Sequence, residues 1–152
     1  MAQRIGTLIA LWVVLAGCTL ASSRASADAV RSDLVARLSD VQQAQDAALA
    51  LWDRVIFGEA VSCQNTIPVP ELVSVAARDL KAHPEAEAIQ DRLNAAIQAL
   101  HESSDLWNGE CGGDQPFVPL STAKEGRATA LAASAPLAEA RQLLSAWAGS
   151  SQ

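Results

Sequence analysis

The chain has no tyrosine, two phenylalanines, two histidines and a single methionine, Met1, among its 152 residues. Each scarcity removes a chemistry. His83 and His101 form neither the H-E-x-x-H of a zinc protease nor the E-x-x-H of a di-iron bundle. His83 reads as a residue that caps or precedes a helix. His101 and Asp105 read as a solvated pair on one helical face. Haem ligation has no foothold, because no methionine follows Met1 and no C-x-x-C-H occurs. G-x-S-x-G and phosphate-binding glycine loops are also missing. Acidic side chains outnumber basic ones 17 to 11, and no basic stripe is seen, so nucleic acid is not an expected partner. The expectation is a chain that is not an enzyme and carries no cofactor or metal.

What is there begins at the N-terminus. Arg4 precedes an uncharged apolar run from Ile5 to Ala16, which is short of the roughly 20 residues that span a bilayer and has the proportions of a secretory signal. The run ends in Leu15-Ala16-Gly17-Cys18. That tetrad resembles the lipobox of bacterial lipoproteins. The resemblance implies a diacylglyceryl group on the Cys18 thiol, removal of residues 1–17, and a lipid-held protein on the outer face of a cell membrane or an outer membrane. Two acyl chains on one cysteine suffice for stable anchoring. A second processing site competes. Ala25-Ser26-Ala27 before Asp28 is an A-x-A site, and cleavage there would release a soluble protein without Cys18. Under the lipobox reading residues 18–28 form the lipidated cysteine and a tether, and residues 29–149 a helical domain. Loss of the signal leaves 135 residues, ten basic and 17 acidic, with a net charge of −7.

Cys63 and Cys111 remain, each among loop-forming residues. Export places them where thiols pair, which predicts a disulfide and leaves Cys18 as the odd cysteine. Two reduced thiols are the other reading. Closing this 48-residue span would stabilise the fold by roughly 4 kcal/mol in the chain-entropy model.

Apolar spacing in the remainder is helical. Leu34, Leu38, Val41, Gln45, Ala48, Trp52 and Val55 alternate steps of four and three, so one long helix is predicted from Ala29 to about Ser62, with a polar break at Gln45. Pro68 and Pro70 end it. A second helix is expected from Glu71, carrying Leu72, Val75, Ala76 and Leu80, and a third from Pro84 through Ile89, Leu93, Ala96, Leu100 and Trp107. Glu85, Glu87 and Asp91 then form an acidic patch that the dipole of that helix accounts for. After the glycine- and proline-rich loop from Asn108 to Pro119, Thr122-x-x-Glu125 is a candidate capping box for a fourth helix through Leu131, Leu137, Ala140 and Leu144 towards Trp147. Pro136 predicts a kink there, or a break capped by Ser134.

The predicted disulfide selects a topology. A continuous helix across Pro84 would carry Cys111 about 55 Å from Cys63, whereas a disulfide needs Cα atoms within about 7 Å. The chain must fold back at His83-Pro84. An up-down-up-down bundle follows, with both cysteine loops at one end and the tether at the other. This layout of lipobox, short tether, small helical bundle and one disulfide is similar to that of type II secretion pilotins, although no motif residue is shared. Trp52, Trp107 and Phe117 are expected to gather at the disulfide end, either packing the bundle or offering an aromatic patch to a partner. Asp105, Asn108, Glu110 and Asp114 offer oxygens near glycines, but not at EF-hand spacing. The functional expectation is a membrane-anchored, non-enzymatic module that binds or scaffolds an envelope protein. The alternative is a bundle that binds a lipid or another small hydrophobic ligand.

Overall fold

The computed structural model describes residues 25–112 and 117–150; Cys18 and Asp114 lie outside them. The fold is all-α. Helices α1 (Ala27–Ile56), α2 (Ala77–Ala82), α3 (Glu85–Cys111), α4 (Leu120–Ala132) and α5 (Ser134–Ser150) follow in order. Helix α1 is 30 residues long, about 45 Å at 1.5 Å per residue. It starts two residues before the predicted boundary, where Ser26 Oγ accepts the Ala29 N–H. It ends at Ile56 rather than near Ser62. Gly58 adopts φ +79°, and the Gly58 and Glu59 N–H groups bond back to Val55 O and Arg54 O. These are the two bonds of a Schellman cap, and a left-handed glycine makes them without strain.

The second predicted helix is mostly absent. Residues 57–76 form an extended strap, and only Ala77–Ala82 turn helical. The strap runs antiparallel to α3. Trp107 Nε1 donates to Asn65 O at 2.8 Å. Asn94 clamps Val73, accepting its N–H at 2.8 Å and donating to its carbonyl at 3.0 Å. Gln90 Oε1 accepts the Val75 N–H at 2.6 Å. An extended chain must satisfy its backbone groups outside itself, and the side chains of α3 do this. Ile67 and Val73 are buried and Val69 and Val75 half-buried, while Leu72, expected inside a helical face, is 60% exposed. The governing period is therefore two.

The chain does fold back at His83-Pro84, so the up-down-up-down course holds with the strap and α2 as its second leg. The core is three helical columns: α1, α3 and the α4–α5 pair, which pack on one another. Leu34, Val41, Ile89, Leu93, Ile97 and Leu100 are among its largest buried side chains. Small residues line the fourth leg (Ala123, Gly126, Ala130, Ala133, Ala140) and bring the columns close. Leu131, expected in the core, is 47% exposed instead.

Helix α4 begins at Leu120, capped by Pro119, and the predicted capping box does not form. Thr122 Oγ1 donates to Glu110 Oε1 at 2.7 Å, which spends the hydroxyl on α3. The fourth leg breaks at Ala133. Pro136 falls in the first turn of α5, where helical N–H groups lack partners in any case. Ser134 is not its cap. Its hydroxyl accepts from Gln45 Nε2 at 2.8 Å, and the same amide donates to Ala130 O at 3.0 Å. The polar break of α1 thus pins the joint between α4 and α5.

At one end of the bundle the first described residues meet α2 and α5. Ala25 bonds to Asp79, and the His83 ring lies 6.1 Å from that of Trp147. The C-terminus of α1, the disulfide and the start of α4 occupy the opposite end. Among the described residues, no helix is long and apolar enough to cross a membrane.

Candidate functional site

The disulfide is formed. Cys63 and Cys111 are bonded, with Cα atoms 5.3 Å apart. It joins the strap to the last residue of α3, where Gly112 caps the helix.

Beneath it sits an aromatic and polar knot. Trp52 on α1 and Trp107 on α3 meet edge to face, with centroids 5.4 Å apart, a favoured geometry for aromatic pairs. Trp52 Nε1 donates to Ser103 Oγ at 2.8 Å, and Ser103 donates to Gly126 O at 3.0 Å. One serine thereby links α1, α3 and α4 through buried bonds. An ideal Cβ on Gly126 would lie 2.3 Å from Trp52 Cζ2, so the indole occupies the space that a side chain there would need. Arg127, the next residue, pairs with Asp53 across the same seam.

These contacts correct the patch reading for two of its three aromatics. Trp52 is 0% and Trp107 1% exposed, so both belong to the core. Phe117 is 73% exposed and stays a surface residue. The residue that sequence reading missed is Phe57, the C-cap of α1, at 80% exposure. Its placement follows from Gly58, which stops the helix about six residues before the expected end and leaves Phe57 in the turn.

Between the strap and the start of α4 lies a groove of about 440 Å³, walled by Ile56, Val61, Val118 and Leu120, with Phe117 at its side and Trp107 contributing to its lining. Leu120 is half-exposed, and Cys63 borders the same groove. Its lining includes one charged side chain, Glu59, already paired with Arg54 at 2.8 Å. This is an apolar concavity flanked by large exposed side chains, the kind of surface that excludes water when covered.

The remaining candidates sit elsewhere. His83 is the C-cap of α2, and its Nε2 lies 3.3 Å from Ala25 O. His101 and Asp105 are both exposed on α3. Glu85 and Glu87 occupy the first turn of α3, as dipole stabilisation requires. Asn108 donates to Ser104, and Glu110 is engaged by Thr122. Among the described residues, no group of three or more His, Cys, Asp or Glu is placed to hold a metal ion. Comparison with protein-family models, curated proteins and solved structures finds no match to this chain.

Proposed function

We propose that the protein is a lipid-anchored extracytoplasmic lipoprotein whose disulfide end docks an envelope protein partner, without catalysing a reaction. One observation carries the docking half. The exposed Phe117 and Leu120 line an apolar groove at the end of the bundle remote from Ala25, and the exposed Phe57 lies between two residues of its lining, Ile56 and Gly58. Interfaces concentrate their binding energy in such aromatic anchors. The lipobox at Cys18 supports the anchoring half, since a tether reaching Ala25 would hold the opposite end towards the membrane. Surface that is rigid, stapled and turned away from the bilayer suits recognition of another envelope component.

A photoreactive residue in place of Phe117, in cells carrying the full chain, tests the docking. The expected result is one discrete crosslinked protein, lost when Phe57 is also changed to Ser. Crosslinking to no protein, or equally from Leu131 on a helical flank, would contradict it. The groove volume also lies in the range of small-ligand sites, which keeps the second reading: a small hydrophobic ligand bound at this same place. Native mass spectrometry distinguishes the two, because that ligand would travel with the purified protein.

A further inference from the structure

The Ala25-Ser26-Ala27 triplet has the form of a processing site, yet the fold uses all three residues. The Ala25 N–H donates to Asp79 Oδ1 at 3.1 Å. Asp79 is only 6% exposed, a burial uncommon for a carboxylate, and the same Oδ1 also faces the half-exposed Arg78 guanidinium at 3.7 Å, so the Ala25 N–H is its closer partner of the two. His83 Nε2 approaches Ala25 O at 3.3 Å, so the short α2 segment and the residue after it grip both backbone groups of one residue. Ser26 Oγ caps α1 through the Ala29 N–H, and Ser26 O accepts the Val30 N–H at 3.0 Å. Ala27 is the first residue of the helix and packs against the core.

We infer that processing leaves these residues in the mature protein, with the new N-terminus at or upstream of Ala25, and that Asp79 is the receptor that clasps the start of the domain. Cleavage after Ala27 would remove the cap, uncover the buried carboxylate and open the first turn of α1. This rests on the exported-chain reading but not on the lipid itself. It also shortens the tether. Six residues lie between Cys18 and Ala25 in the sequence, a stretch that spans at most about 20 Å. A lipid on Cys18 would then hold the clasp end close to the bilayer surface.

Two measurements on the full chain test it. The first is the intact mass of the protein recovered from the envelope. A start at Cys18 with a diacylglyceryl increment supports both readings. An unlipidated start anywhere from Cys18 to Ala25 keeps the clasp and defeats the lipid. A start at Asp28 overturns the inference. The second is limited trypsin digestion. Asp79→Ala should raise cleavage after Arg31 at least several-fold, because the first turns of α1 fray, while Asp79→Asn, which retains an acceptor oxygen, should restore most of the protection. Equal cleavage after Arg31 in all three chains would show that Asp79 holds nothing.

Discussion

The two ends of the bundle close in different ways. At the clasp end the chain is held by hydrogen bonds to Asp79 and His83 and by one serine cap. At the disulfide end it is held by a covalent bond, a buried tryptophan pair and the Ser103 relay, while large apolar side chains remain outside. The contrast is instructive because exposed apolar surface is costly unless something covers it. The end with the strongest internal fastening is the one that leaves Phe57 and Phe117 uncovered. Under the proposed docking, rigid support beneath that surface would limit the ordering cost of binding.

Removing the disulfide should break this contrast most. The Cys63→Ser, Cys111→Ser double variant is expected to lose roughly 4 kcal/mol, read from urea unfolding under oxidising conditions. Hydrogen exchange should show the strap amides of Val73 and Val75 losing protection first, with α1 amides retaining theirs. Gly126→Ala comes next. Its methyl group must displace the Trp52 indole or the α4 backbone, and overpacking of this kind costs about 1–3 kcal/mol. Thermal melts and a change in tryptophan fluorescence would report it.

Much of this architecture was legible from spacing alone. Leu34, Leu38, Val41, Ala48 and Trp52 on α1 are buried, as are Ile89, Leu93, Ala96, Leu100 and Trp107 on α3 and Leu137, Ala140, Leu144 and Trp147 on α5. A stripe of period 3.6 states which face turns inward. The strap was not legible in the same way. Val75, Ala76 and Leu80 mimic a helical face, but their neighbours Ile67, Val69 and Val73 alternate, and the bonds that hold them come from Asn94 and Gln90, many positions away. Gly126 carries no local signal, because its necessity arises from an indole on another helix. Asp79 is equally silent: beside its neighbour Arg78, its hydrogen-bond donor is a backbone N–H 54 residues upstream. At the candidate site, sequence identified the cysteine pair and Phe117 and missed Phe57, whose exposure depends on where a glycine stops α1.

Smaller effects sharpen the comparison. Ser26→Ala at the clasp end should cost about 1 kcal/mol, seen as a lower urea midpoint with an unchanged slope. That is a fraction of the loss expected from the disulfide. Phe57→Ser should change stability by no more than about 0.5 kcal/mol, because the ring is exposed, yet abolish partner crosslinking from position 117. A large loss of stability would instead make Phe57 a packing residue.

The central claim is a polarity, with one end towards the membrane and the other towards a partner. Fluorophores placed singly at Asp28 and at Phe57, in the envelope-purified full chain with the proposed lipid on Cys18, reconstituted into vesicles containing headgroup-quencher lipids, measure it directly. The account predicts strong quenching at position 28 and little at position 57, which lies about 45 Å further along α1. Equal quenching at the two positions, or stronger quenching at 57, would contradict it.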